Sequence, residues 1–217
     1  MNLKMEMEDY TVDINNLKQY VELSKSIPSD YVYFKDNMIY GTDENFSILY
    51  KMNSDYDIEL SYSNKDGKSF VKNATKITAI KGSILYNDST NDKDVKELEI
   101  NNISMKYKIN NMINNIKNML DSTNNIFYIE NILENYKFKE MLNKKSDEGN
   151  TNIVIENNND YYIMYLSKIL FPIVKKDKQV EVKIYDLDDT MFLSEFIIHK
   201  KDLKRTITLY ILFKKLQ

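Results

Sequence analysis

The chain has 217 residues, with 30 Lys and Arg against 33 Asp and Glu, a formal net charge of −3, no cysteine, one histidine and four glycines. That length makes one large domain or two of about 100 residues each, and either can bury a real core. The lack of cysteine excludes disulfides, zinc–thiolate sites and thiol catalysis, and Gly41, Gly67, Gly82 and Gly149 stand too far apart for a glycine-rich phosphate loop.

Asp13 can cap a helix running to Ile27, with Ile14, Leu17, Val21 and Ser24 on its buried face, and Pro28 stops it. YVYFKDNMIY then reads as a hairpin around Lys35-Asp36-Asn37. Phe46, Ile48, Tyr50 and Met52 alternate as in a half-buried strand, as do Ile58, Leu60 and Tyr62, and Asp66-Gly67 marks a turn. Ser69 to Lys81 is expected to be a helix with Phe70, Ala74 and Ile77 on one face, although its Thr and Ile content also suits a strand. SILYN and VKELEIN follow as strands around a polar loop, Asp88 to Asp94.

Ile109, Met112, Ile113, Ile116 and Leu120 then fit a helical face, with Lys108, Asn111, Asn115 and Asn118 on the opposite one. IFYIE is a strand, Asn131 to Lys145 suits strand or helix, Lys144 to Asn150 is a polar loop, and TNIVIE is a strand. Tyr161 to Lys176 places Leu166, Ile169 and Ile173 at helical spacing, so a helix is expected there, kinked or ended near Phe171 by Pro172. VEVKIYD, MFLSEFIIH and RTITLYILF close the chain as strands. Each half thus runs helix, strands, helix, strands, with helices starting near Asp13 and Ser69 and again near Lys108 and Tyr162. The expected architecture is α+β, with two similar domains, 1–104 and 105–217, of antiparallel sheet with paired helices.

Charge is distributed unevenly over these helices. The first carries Lys18 and Lys25 against Asp13 and Glu22. The other three carry lysine and no acid: Lys72, Lys76 and Lys81; Lys106, Lys108 and Lys117; Lys168, Lys175 and Lys176. A solvated helix usually mixes both signs, so acid-free helices on an acidic chain indicate a surface for an anion. Lys and Asn at helical spacing suit phosphate contacts, which carry little sequence information. The competing explanation is that short buried helices carry few charges of any kind. The candidate DNA contacts are Lys18, Lys25, Lys72, Lys76, Lys81, Lys108, Lys117, Lys168, Lys175 and Lys176.

The segment YYIMYLSKILFPIVKKDKQVEVKIYDLDDTMFLSEFIIHKKDLKRTITLYILFKKL resembles the end of a DNA sliding clamp of the proliferating-cell-nuclear-antigen type, with Tyr165-Leu166 at a helix start before the final strands. YVYFKDNMIYGTDENFSILYKMN is similar to the hairpin, the Thr42-Asp43 turn and the alternating strand of the family's first domain. The resemblance covers most of the chain and rests on apolar patterns; the connector around Leu98–Met105 is shorter than the family's. It implies helices lining a hole around duplex DNA, a strand shell outside, and a length like that of viral and phage clamps that close as homotrimers. A DNA polymerase or RNA polymerase subunit and a clamp loader are the implied partners, in the cytoplasm of a bacterium or a virus-infected cell. No catalytic residue, metal or cofactor is implied, and neither is a membrane, since no apolar run is long enough to span one. MNLKMEMEDY also lacks a signal peptide's apolar segment. A clamp-fold viral late transcription factor that never closes a ring is the related alternative.

Asp186-Leu187-Asp188-Asp189-Thr190 after an apolar strand resembles the nucleophile motif of haloacid-dehalogenase-type phosphatases, in which Asp186 would attack phosphorus and Asp188 act as acid and base with Mg²⁺. Too little chain follows it for the rest of such an enzyme, so an acidic turn between strands is the simpler expectation. His199 alternates with Ile197 along a strand with no partner identifiable in the sequence. The methionines suit core filling. Tyr-rich strands could stack single-stranded bases, though Tyr is equally favoured in ordinary sheet packing.

Overall fold

The computed structural model describes residues 4–6, 11–123, 126–129, 151–157, 160–166, 179–200 and 205–214. The chain is α+β with antiparallel strand pairing and forms two compact units, Met1–Met112 and Ile113–Gln217.

Unit 1 opens with a short antiparallel pair, β1 (Lys4–Glu6) and β2 (Thr11–Asp13), and helix α1 (Ile14–Ser24). The helix ends at Ser24, one turn before Ile27, and Ser24 Oγ bonds back to Val21 O at 2.9 Å. Strands β3 (Tyr31–Lys35), β4 (Met38–Thr42), β5 (Ile48–Asn53) and β6 (Leu60–Ser63) form an antiparallel sheet in the order β5-β4-β3-β6. The β3–β4 hairpin closes on Asp36-Asn37, both left-handed at φ 51° and 56°. That is the two-residue turn whose twist matches the strands, and Asp and Asn tolerate it. Phe46 precedes β5 instead of opening it, because Asp43 takes up the backbone N–H groups of Ser47 and Ile48 and holds the loop off the sheet.

The pleat divides this sheet cleanly. Val32, Phe34, Ile39, Tyr50, Met52, Leu60 and Tyr62 point to one face, all of them buried. Helices α1 and α2 (Asn64–Asn73) cover that face through Leu17, Tyr20, Val21 and Phe70; the Tyr20 and Phe34 rings lie 5.8 Å apart. Tyr31, Tyr33, Lys35, Thr42 and Ser61 point to the other face, which the first half of α3 (Ile103–Ser122) covers.

The buried tyrosines on the α1/α2 face differ in one respect that yields a prediction. Tyr62 Oη donates to Ser24 Oγ at 2.9 Å, whereas Tyr50 Oη is buried with no hydrogen-bond partner among the described residues. Tyr62→Phe is expected to cost about 1 kcal/mol, since it leaves Ser24 short of a bond, and Tyr50→Phe to be neutral or stabilising. Urea unfolding of the two variants checks this; equal losses would contradict the assignment.

The expected helix over Ser69–Lys81 is corrected. Helix α2 starts at Asn64, capped by Ser63, whose Oγ accepts from Asp66 N at 3.4 Å, and it ends at Asn73. Ala74 is already extended, and β7 (Ala74–Ile80) follows, where Thr75, Ile77, Thr78 and Ile80 favour a strand. Asp66-Gly67 is therefore helical and not a turn. Gly67 suits that place because a Cβ there would stand 2.9 Å from Tyr62 Cε2 and 3.4 Å from Val21 Cγ1. β7, β8 (Ser83–Asp88) and β9 (Asn91–Glu99) form a second antiparallel sheet in that order. The expected loop Asp88–Asp94 shrinks to a tight turn, because Asp88 Oδ1 accepts from Thr90 N and Thr90 Oγ1 and its other oxygen pairs with Lys96.

Helix α3 begins at Ile103 and not Lys108, since Asn102 Oδ1 caps Met105 N at 2.8 Å. The boundary between the units falls inside α3, after Met112.

In unit 2, β10 (Ile126–Ile129), β13 (Val180–Asp186), β14 (Met191–Lys200) and β15 (Arg205–Lys214) pair antiparallel in the order β10-β13-β14-β15. Val182, Ile184, Phe192, Phe196, Ile198, Ile207 and Leu209 make a fully buried face. A separate hairpin pairs β11 (Thr151–Asn157) with β12 (Asp160–Leu166). The expected helix over Tyr161–Lys176 is thus corrected for its first six residues: Tyr161 to Leu166 form a strand, and Tyr165-Leu166 end it instead of starting a helix. Tyr and Ile favour the pleated surface, and an apolar run of that length does not by itself distinguish strand from helix. The rest of that stretch, with Lys168, Lys175 and Lys176, lies outside the described residues, as do the segments expected over 131–145 and 144–150.

Candidate nucleic-acid interface

The outer surface of the α1/α2 layer is built by helical periodicity. On α1, Leu17, Tyr20, Val21 and Ser24 turn inward, which leaves Asn16, Lys18, Gln19 and Glu22 exposed, and Lys25 is exposed just after the helix. On α2, Asn64, Gly67 and Phe70 turn inward, which leaves Lys65, Asp66, Lys68 and Lys72 exposed. Lys65, Lys68 and Lys72 recur at spacings of three and four and form one row along α2. A helix expected only from Ser69 leaves Lys65 and Lys68 outside it. The signal was present: Ser63 with Asp66 three residues later is a helix-start pattern. Asp66 lies in the first turn, where its backbone N–H donates to the Ser63 cap and its side chain is exposed, and Glu22 pairs with Lys25. The surface therefore carries five lysines against two carboxylates, one of which pairs with Lys25.

The other candidates are distributed as follows. Lys76 is exposed on β7, and Lys81 is exposed in the turn after it. Lys117 is exposed on the unit 2 part of α3. Lys108 is exposed too, but it stands on the opposite side of the unit 1 sheet from α1 and α2. Its ammonium lies 4.7 Å from the centre of the Phe46 ring, which stacks on Tyr31 at 5.6 Å. Lys18, Lys25 and Lys72 thus share one surface of unit 1, and Lys108 does not belong to it.

The α3 side of the sheet is held by a polar clasp. Tyr33 Oη and Lys106 Nζ donate to Glu59 Oε1 at 3.0 and 3.1 Å, and Lys35 Nζ donates to Asn110 Oδ1 at 3.1 Å. Burial opposes the Glu59 carboxylate, but the bonds from Lys106 and Tyr33 outweigh it and hold its carboxyl below the ordinary value. Burial likewise pushes the Tyr33 phenol up. Lys106 is therefore consumed structurally.

The acidic motif after β13 is a turn. Asp188 Oδ1 accepts from Thr190 N, Thr190 Oγ1 and Met191 N at 2.6, 2.7 and 2.8 Å, so the carboxylate expected to act as acid and base closes the β13–β14 connection. His199 has partners, contrary to expectation: Glu181 Oε1 lies 3.1 Å from Nε2 and Thr206 Oγ1 lies 3.4 Å from Nδ1. Glu181 is 18 residues away in sequence and comes near only through the β13–β14 register. A hydrogen bond from Tyr128, opposed by burial and aided by His199, holds the Glu181 carboxyl below its ordinary value. On the same sheet face Tyr185 and Tyr210 donate to the two oxygens of buried Glu195 at 2.7 and 2.9 Å. Among the described residues no cluster of three acidic or histidine side chains could hold a metal ion, and no helix is long and apolar enough to cross a membrane.

No family model matches the sequence, and no curated protein matches it. The solved structures it is similar to include PCNA from A. fulgidus, with the C-terminal region of FEN-1 bound, at 8% identity and a TM-score of 0.34, covering 93% of this chain and 95% of that one. DNA polymerase III subunit beta from Pseudomonas aeruginosa is similar at 9% identity and a TM-score of 0.39, covering 94% of this chain; the match spans 64% of that longer chain. PCNA from Thermococcus kodakaraensis is similar at 9% identity and a TM-score of 0.29, covering 91% of this chain and 95% of that one.

Proposed function

We propose that this chain is a DNA sliding clamp: two clamp-like domains per subunit, a homotrimeric ring around duplex DNA, and a tether for a DNA polymerase or an RNA polymerase subunit. The observation that carries the reading is the α1/α2 layer, whose outer surface presents Lys18, Lys25, Lys65, Lys68 and Lys72 with the amides Asn16 and Gln19 between them. Such a surface suits the phosphodiester backbone and reads no sequence. The clamp reading requires no chemistry of the chain, in keeping with the commitment of Asp188 to its turn.

Ring closure needs a head-to-tail contact. β9 supports it, being an edge strand of its sheet with Val95 62% exposed. The mass in solution tests assembly: a trimer is expected at micromolar concentration, and a monodisperse monomer would exclude the closed ring in favour of a clamp-fold viral late transcription factor. Retention on nicked circular duplex, with loss on linear duplex, tests encirclement.

A further inference from the structure

We infer that the first half of α3, Ile103 to Met112, is a releasable strap over one face of the unit 1 sheet, latched by Phe46, and that it opens while the α1/α2 face stays closed. The inference is independent of any DNA contact. The two faces of the sheet differ in what opening would cost. Val32, Phe34, Ile39 and Met52 face α1 and α2, and wetting them forfeits hydrophobic stabilisation. The face under α3 presents Tyr33, Thr42, Ser61 and the Glu59 carboxylate, whose bonds to α3 and to its capping residue Asn102 water can replace at small net cost. Helix α3 itself is lightly held. Of its 20 residues Met105 and Ile109 are buried, and Ile103 and Tyr107, one turn apart, are 76% and 67% exposed. A segment with few buried apolar contacts opens at lower free energy than the core.

Phe46 marks where the strap is fastened. Its backbone is left-handed, at φ 55°, a conformation that bulky residues rarely adopt and that persists only where the surroundings fix it. Asp43 fixes the loop from one side: its carboxylate accepts from Ser47 N and Ile48 N, and its carbonyl accepts from Phe46 N at 3.1 Å. The ring is fixed from the other side. It lies nearly parallel to Tyr31, at 16°, and the Lys108 ammonium of α3 stands 4.7 Å from its centre. The ring is thus gripped between a strand of the sheet and the strap that crosses it. Lys108, which stands apart from the lysine surface on α1 and α2, has its role here.

The chain has no cysteine, so a single introduced thiol reports on its own position. Thr42→Cys places one beneath the strap and Val32→Cys one beneath α1 and α2; both positions are 0% exposed. The test is labelling of the folded full-length chain with the thiol reagent DTNB across a urea series. Thr42→Cys should label at least about tenfold faster than Val32→Cys. Its rate should be nearly flat in urea, because the opening exposes little surface, while the Val32→Cys rate should rise steeply with global unfolding. Lys108→Ala should speed labelling at Thr42→Cys by about two- to fivefold, and Phe46→Ala by more. Val21→Ala, under the other face, should speed Val32→Cys and leave Thr42→Cys as it was. Equal rates and equal urea dependence at the two thiols, or a Val21→Ala effect shared by both, would overturn the strap. Labelling at Thr42→Cys that neither Lys108→Ala nor Phe46→Ala alters would overturn the latch. Should Thr42→Cys not fold, Ser61→Cys, also 0% exposed on the α3 side, reads the same opening against the same outcomes.

Discussion

Gly41→Ala is expected to destabilise unit 1 by about 1–3 kcal/mol, and Gly41→Val to prevent it from folding. Gly41 is the penultimate residue of β4, on the face that α1 and α2 cover. A Cβ there would stand 2.7 Å from both Cβ and Oγ of Ser29 and 2.9 Å from Ile27 Cγ2. Buried neighbours in a close-packed interior have little room to yield. Ser29→Gly should restore part of the loss, since it removes the two nearest atoms and discards an Oγ that is buried with no partner among the described residues. Denaturant unfolding of the two single variants and the double variant measures the coupling. An unchanged midpoint for Gly41→Ala would mean that the strand and the Ile27–Ser29 segment do not approach as described.

The second large effect concerns binding. Replacing Lys65, Lys68 and Lys72 together by alanine should lower the salt slope of duplex binding by about three times 0.9, which at physiological ionic strength amounts to roughly a hundredfold in affinity. Folding should be nearly unaffected, because all three side chains are exposed and their removal creates no cavity. The matching change at Lys108, on the opposite side of the unit 1 sheet, should leave the slope within about 0.3 of wild type, well under one phosphate contact. A triple variant that folds and binds with the wild-type slope would remove the principal support for the DNA reading.

Much of this was legible in the sequence, for local reasons. The β3–β4 hairpin follows from Tyr-rich runs around Asp36-Asn37, and β13, β14 and β15 from long β-favouring segments. The apolar face of α3 is visible in its spacing. What was not legible depends on tertiary placement. A lysine count shows that a helix lacks acid, but not which side of a sheet the helix takes, so the sequence alone does not separate Lys108 from Lys72. The α2 row was hidden by one misplaced boundary: Phe70 fits the apolar face of either helix, and only the Ser63 cap decides between them. His199 has no partner within reach along the chain because Glu181 arrives through strand register. Tyr161 to Leu166 could satisfy a helical or a pleated pattern, and the pairing with β11 selects the strand.

The polar clasp beneath α3 also bears on how unit 1 avoids the wrong alignment of its own strands. A sheet with one wet face fixes its register by hydrophobicity, because a slip of one residue exposes every apolar side chain. Unit 1's sheet is covered on both faces, and β3 reads Tyr-Val-Tyr-Phe, apolar either way round. Burial alone therefore discriminates weakly between the correct alignment and its neighbour. The hydroxyl of Tyr33 does discriminate. In register it meets Glu59 and Asn110. Slipped by one, it would be driven among the apolar residues under α1, and Phe34 would lie against an ion pair left half-satisfied, each a buried mismatch costing about 1–3 kcal/mol. The clasp adds little net stability as a part-buried ion pair, yet it penalises the misaligned sheet that hydrophobic packing would tolerate.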